Sequence, residues 1–316
     1  MASGGRSTTW DQLPSHVRAA VEMRLGSPVD ESQSHPGGFT PGLASTLRTA
    51  DGRAVFVKAI CAALNPDGPD IYRREAAVAA VLPPGVPSPR LLWSYDDGDW
   101  VMLAFEHVRG RPPVTSRPAE LALVLESVNR LARALTPSPI ELPRFVATWA
   151  DDFSCWQAME HPAAPDGLDS YGARTIENIG LLAAYETRFA EVADGSTLLH
   201  GDLRADNMLL TDDGVVVVDW PEACLGAAWI DLVLMLPSVA MNPSGPSAEH
   251  IVATHPLTSQ LPRKDVDCVI AAMAGFFVSR SLSPPPPGLP TVRAFQRAQG
   301  VASLTWLGER LTMPSG

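Results

Sequence analysis

A two-lobed α+β protein is the fold this sequence predicts, on three observations. The chain has 316 residues, more than one compact domain usually holds, so two lobes are expected. Strand-like runs concentrate in its first third. Helix-like runs fill the rest apart from one tight hairpin, and such segregation marks α+β folds. The strand-rich lobe is expected over residues 1–107 and the helical lobe over residues 108–316.

The elements follow in chain order. Residues 10–26 carry Val17, Ala20, Val21 and Leu25 on one face at helical spacing and stop at Gly26, which predicts an amphipathic helix. A segment rich in Gly, Ser and Pro comes next, holding Gly37, Gly38, Pro41 and Gly42. The run LASTLRT (43–49) alternates, Ala50-Asp51-Gly52 is a turn, and AVFVKAI (54–60) is a second strand, which gives a hairpin. A helix is predicted over 69–81, ended by Pro83-Pro84-Gly85, then strands at 90–95 and 100–105 around Asp96-Asp97-Gly98. Helices are predicted over 118–135, 144–160 and 173–194. Strands 208–210 and 215–218 flank the turn Asp212-Asp213-Gly214. From Trp229 onward, apolar patches at helical spacing alternate with loops such as the proline run 284–287.

Hydrophobic residues make up 46% of the chain and charged residues 19%, a balance that can build a core. A formal net charge of −11 argues against a nucleic-acid partner, which calls for a basic face. Cys61, Cys155, Cys224 and Cys268 form no CxxC or Cys/His cluster. Neither a zinc site nor a disulfide framework is expected, and a reducing, cytoplasmic setting is. No apolar run approaches the roughly 18 residues of a membrane span, and the N-terminus lacks a signal-peptide core.

The chemistry concentrates in HGDLRADN, His200 to Asn207. Asp202 and Asn207 stand five positions apart, and an apolar hairpin follows that ends, after four valines, at Asp219. A packing residue is unexpected there. A short hairpin brings its two ends together, so an Asn207 amide oxygen and an Asp219 carboxylate would face one void. Such oxygen ligands suit Mg²⁺, which keeps waters and phosphates in its shell. Asp202, just before, could accept a proton from a hydroxyl that attacks a γ-phosphate. Read singly, His-Gly-Asp is a turn and Asp219 a helix cap. The joint pattern is far more specific.

This segment resembles the catalytic loop of the aminoglycoside phosphotransferase family, a branch of the protein-kinase-like fold, with its HGDxxxxN pattern and a following strand that ends in an acid. The resemblance implies a bilobal kinase-like fold, Asp202 as catalytic base, Asn207 and Asp219 as magnesium ligands, and His200 as a structural residue of the loop. Asp231, in AAWIDLVLML, is similar to the family's downstream aspartate that steadies the catalytic loop. Asp219 is followed by Trp220-Pro221-Glu222 rather than Phe-Gly, which departs from protein kinases and is similar to small-molecule kinases.

A nucleotide side is legible upstream. Only two of the 24 basic residues are lysines, Lys58 and Lys264. Alternation puts Phe56 and Lys58 on one face of their strand and Val55, Val57 and Ala59 on the other. A lysine there needs a partner, because burying an unpaired ammonium is costly. Glu75, on the next predicted helix, matches the strand-lysine and helix-glutamate pair of kinase-like folds. Lys58 would hold the phosphates of ATP (or GTP). Gly37, Gly38, Phe39 and Thr40 form a weak candidate phosphate loop, since glycines let backbone approach phosphates. By resemblance, the strand over 100–105 leads into a hinge where the Glu106 carbonyl and Val108 amide would bind adenine.

The acceptor is expected to be a small molecule with a hydroxyl. Residues 109–316 carry 23 acids against 15 bases, and residues 1–108 carry 12 against 9, so most of the negative charge lies in the lobe that would meet it. Asp151, Asp152, Glu160, Glu177 and Glu222 are candidates to hold a cationic acceptor, and Trp149, Trp156 and Trp220 to wall it. The readings left open are an aminoglycoside or peptide-antibiotic kinase, a kinase of a choline-, homoserine- or nucleoside-like metabolite, and a non-catalytic nucleotide-binding protein of the same fold. Lys58, Glu75, Asp202, Asn207 and Asp219 are all present, which weighs against the last. Oligomeric state is not legible.

Overall fold

The computed structural model describes residues 8–35, 41–160, 165–241, 245–286 and 290–311. Its N-terminal part is an antiparallel sheet of five strands: β1 (Val29–Ser34), β2 (Leu43–Thr49), β3 (Ala54–Cys61), β4 (Leu91–Asp96) and β5 (Trp100–Glu106). Their order is β1-β2-β3-β5-β4. Alternation along β3 decides what each face meets. Val55, Val57 and Ala59 join Met102 and Ala104 of β5 under α1 (Ser15–Leu25), whose Val17, Val21 and Leu25 are buried. Burial of each such side chain stabilises by about 1.5–3 kcal/mol. Gly26 ends the helix at φ 70°, the left-handed position glycine takes without strain. The opposite face, with Phe56, Ile60, Leu103 and Phe105, packs against Tyr72 and Ala79 of α2 (Gly68–Ala79). Lys58 lies on that second face.

The C-terminal part is mainly helical. It comprises α3 (Pro118–Ala134), α4 (Phe145–Thr148), α5 (Cys155–Met159), α6 (Ala173–Glu177), α7 (Ile179–Glu186), α8 (Phe189–Ala193), α9 (Ile230–Ala240), α10 (Ala248–Thr254), α11 (Arg263–Leu282) and α12 (Val292–Arg310). The 20-residue α11 runs through the core, with Val266, Val269, Ile270 and Met273 buried. Two small ladders sit among the helices: β6 (Thr197–Leu199) with β9 (Cys224–Gly226), and β7 (Met208–Thr211) with β8 (Gly214–Val217). The hairpin β7–β8 is tied to Pro87 of the N-terminal part and to Arg111 just past β5. The Val217 N–H donates to the Pro87 carbonyl at 2.6 Å, and Arg111 and Leu210 exchange backbone bonds of 3.2 and 2.7 Å.

Two long helices expected from the sequence are broken. Residues 144–160 form only α4 and α5. Burial of Phe153 and the N–H groups of Trp156 and Gln157 bonding to the Glu186 carboxylate outweigh helix continuity across 149–154. Residues 173–194 split into α6, α7 and α8, where the Asn178 and Thr187 side chains bond to backbone carbonyls of Arg174 and Ala184. Strands β1, β6 and β9 were not expected. β1 reads VDESQS with four exposed central residues, so pairing rather than apolar alternation makes it a strand. Among the described residues no helix is long and apolar enough to cross a membrane, and the four cysteines are free.

Candidate active site

The two parts meet at Lys58. Its Nζ bonds to Glu75 Oε1 at 2.7 Å, Glu75 Oε2 at 2.8 Å and Asp219 Oδ1 at 2.7 Å. Burial opposes the ammonium charge, yet Asp219 and Glu75 hold the Lys58 pKa above the ordinary lysine value. Burial would likewise raise the Asp219 carboxyl, but Lys58 overrides it and keeps that carboxyl below the usual range. Glu75, 1% exposed, is pushed up by burial and receives the Trp220 N–H as well. One ammonium thus serves two carboxylates.

Asp219 reaches this position through its backbone. At φ 71° it is the only non-glycine residue with positive φ among the described residues, a region Asp enters more readily than most residues. The turn sends its carboxylate toward Lys58 and the next side chain inward. Trp220 is buried, donates from Nε1 to Ser88 Oγ at 3.1 Å and lies 4.8 Å from the His200 ring.

The His200–Asn207 loop is braced from below. Asp231, at the start of α9, accepts the N–H groups of His200 and Gly201 at 2.7 and 3.0 Å. The His200 ring nitrogen Nδ1 accepts the Asp202 N–H at 3.3 Å, so Nε2 carries the proton and donates to the Val218 carbonyl at 3.0 Å. Gly201 sits at φ 80°, and a Cβ there would lie 2.2 Å from the Glu222 carbonyl oxygen, so only glycine fits.

Asp202 stands at the mouth of the cleft with 42% of its side chain exposed. Burial of the inner part pushes its carboxyl up, and Arg204 and His200 oppose the rise. Asn207 Nδ2 donates to the Asp202 carbonyl at 2.8 Å and to Asp202 Oδ2 at 3.1 Å. The Val218 N–H donates to the Asn207 carbonyl at 3.0 Å, which lays the two ends of the hairpin side by side. Asn207 Oδ1 and Asp219 Oδ2 carry no hydrogen bond among the described residues, and such hard oxygens fit a magnesium ion. No group of three or more His, Cys, Asp or Glu suited to a metal forms among the described residues. A magnesium ion here would therefore need phosphate or water oxygens to complete its shell.

The other expected residues divide. The Glu106 N–H donates to the Arg90 carbonyl at 3.0 Å, and its carboxylate pairs with Arg90 at 2.6 Å. Val108 is half-buried just beyond. Gly37, Gly38, Phe39 and Thr40 lie outside the described residues. Glu222 is half-buried. Burial pushes its carboxyl up, Arg74 opposes this, and Asp202 and Asp219 add to it.

The expected acceptor walls need correction. Trp156 is fully buried, with Nε1 bonded to the Ala271 carbonyl at 2.8 Å, and Trp220 is 2% exposed. Both belong to the core, because a large ring among apolar helices gains more from packing than from lining a wet pocket. Asp152 is paired with Arg280, so it has no free charge to offer. Asp151 is exposed, and none of its contacts joins it to the cleft. The sequence reading missed Arg204, which pairs with Asp206, lies 3.8 Å from Asp202 Oδ1 and sits over the Phe295 ring. Its place between two motif aspartates was the available signal.

The model of the phosphotransferase enzyme family matches residues 45–262. The chain belongs to that family. All of Lys58, Glu75, Asp202, Asn207, Asp219 and Asp231 fall inside the matched stretch of this phosphotransferase. Among curated proteins none matches it by sequence. Solved structures share its kinase-like fold at low identity. A thermostable mutant of an aminoglycoside phosphotransferase, in complex with ADP and hygromycin B, is 14% identical with a TM-score of 0.59, over 96% of this chain and 100% of the other. An aminoglycoside phosphotransferase from Streptomyces rimosus is 18% identical, TM-score 0.53, over 84% and 99%. A choline/ethanolamine kinase family protein from Mesorhizobium loti is 17% identical, TM-score 0.56, over 95% and 95%.

Proposed function

We propose that this phosphotransferase moves the γ-phosphate of ATP (or GTP) onto a hydroxyl of a small molecule. The observation that carries the reading is the triad of Lys58, Glu75 and Asp219 joined across the cleft, with Asp202 close enough to feel the Asp219 charge. Lys58 holds the nucleotide phosphates, and Glu75 fixes Lys58. The Glu106 carbonyl and Val108 N–H take the adenine edge. Asn207 Oδ1 and Asp219 would hold Mg²⁺, which when bound offsets phosphate charge. Asp202 orients the acceptor hydroxyl and accepts its proton. His200 and Asp231 keep the loop in register. The lobe boundary falls at residues 107–108, directly after β5.

The acceptor we favour carries an ammonium group near the hydroxyl, as in an aminoglycoside, a peptide antibiotic or an amino alcohol. Among the candidate acids, Glu222 supports this reading, because its half-buried carboxyl feels the charges of Asp202 and Asp219. The test is ATP consumption over a panel of cationic antibiotics, amino alcohols and nucleosides, with and without Mg²⁺. Turnover with a cationic acceptor, and a higher acceptor KM in Glu222→Gln, would support the reading. Magnesium-independent turnover, or an unchanged KM in Glu222→Gln, would count against the metal site and the cation site respectively.

A further inference from the structure

Tyr72 lies one helical turn before Glu75 on α2 and is 5% exposed. Its ring centroid is 5.8 Å from Lys58 Nζ. Its hydroxyl reaches the start of β2, where it would lie 3.3 Å from a Cβ placed on Gly42. That Cβ would also sit 2.5 Å from the Ala59 carbonyl oxygen. Glycine at 42 therefore permits both the close approach of β2 to β3 and the reach of the hydroxyl.

The ring accounts for its own packing among Ile60, Val101 and Leu103. The oxygen does not. Among the described residues no hydrogen bond ends on the Tyr72 hydroxyl, and it is not one of the buried unpaired oxygens, so solvent or a ligand can reach it. A phenylalanine would pack as well and leave nothing unpaired. Burial raises the Tyr72 pKa above the ordinary tyrosine range, with Lys58 opposing and Glu75 and Asp219 adding to it, so the hydroxyl keeps its proton and can donate.

Lys58 explains why another donor is useful here. An ammonium has three N–H groups, and all three are engaged by Glu75 Oε1, Glu75 Oε2 and Asp219 Oδ1. None is spare for a phosphate until one of these bonds opens. Tyr72 is an uncommitted donor beside the same ammonium, since the Glu75 and Asp219 oxygens that are bonded take the Lys58 N–H groups instead.

We propose that the Tyr72 hydroxyl binds the nucleotide, donating a hydrogen bond to its polyphosphate beside Lys58. The proposal rests on the nucleotide site described above and adds a phosphate-binding residue to it. The test is calorimetric titration of wild type and Tyr72→Phe with ADP and with adenosine, in magnesium. ADP affinity should fall about fivefold to thirtyfold in the variant, the range for losing one hydrogen bond to a charged group. Adenosine affinity, acceptor KM and melting temperature should hold. Tyr72→Met, which keeps an apolar filling without the hydroxyl, should lose ADP affinity to a similar extent. Unchanged ADP affinity in Tyr72→Phe, or an equal loss for ADP and adenosine, would overturn the proposal and leave the nucleotide site standing. A wild type that binds neither ligand would overturn both.

Discussion

Lys58 and Asp219, 161 positions apart in the chain, are joined by a 2.7 Å ion pair. The pair couples the sheet of one lobe to the hairpin of the other at the cleft. Glu75 completes the arrangement from α2, so β3, α2 and the turn after β8 converge on one ammonium.

Lys58→Met should therefore do two things. Nucleotide affinity should drop at least tenfold in direct binding measurements. Stability should also fall, because removing one partner of a buried ion pair leaves the other charge uncompensated, at about 3–5 kcal/mol. Glu75 is already pushed up by burial and would take up a proton in the variant, so the loss should shrink as pH is lowered. Chemical denaturation at two pH values checks both points.

Asp231→Asn tests the brace under the catalytic loop. Both carboxylate oxygens accept backbone N–H groups, at 2.7 and 3.0 Å. An amide can accept with only one oxygen, and its NH₂ group would face a donor. Losing a charged hydrogen bond costs about 1.5–3 kcal/mol, read as a lower denaturation midpoint. kcat should fall while nucleotide affinity is largely kept, since Lys58 and Glu75 are elsewhere.

Glu186 makes the fold pH-sensitive away from the cleft. Burial pushes its carboxyl up to about 7, well above the ordinary glutamate range, although it accepts the N–H groups of Gln157 and Trp156. The sign follows from proton counting. The folded state binds this proton more tightly than the unfolded state, so stability falls as pH rises from about 4.5 to about 7 and then levels off. The amplitude is up to about 3 kcal/mol. In Glu186→Gln, denaturation across that window should lose this slope. A slope equal to wild type would show that another group is responsible.

Much of the cleft was legible in the sequence because its residues break local rules. Lys58 is a charge in an alternating apolar strand, and Asp219 is an acid after a valine run. Such violations mark places where function overrides packing. The β2–β3 hairpin and α2 were also readable, since their patterning matches their burial. The acceptor walls were not. Trp156 and Trp220 are large aromatic residues near acids in sequence, and sequence alone cannot tell a pocket wall from a core ring. The breaks in 144–160 and 173–194 depend on distant partners, among them Glu186 meeting the N–H groups of α5. β1 is a strand only because β2 offers it an edge.

The central claim is that Asp202 activates an acceptor hydroxyl beside a nucleotide held by Lys58. The most direct measurement compares acceptor-stimulated ADP formation in wild type and Asp202→Asn, across pH, alongside ADP binding. The account predicts ADP binding within about twofold of wild type and kcat lower by about 10²–10⁴-fold. Because burial raises the Asp202 carboxyl, wild-type kcat should fall as pH drops through a value above the ordinary aspartate range, and the variant should lack that step. Full acceptor-stimulated turnover by Asp202→Asn would contradict it.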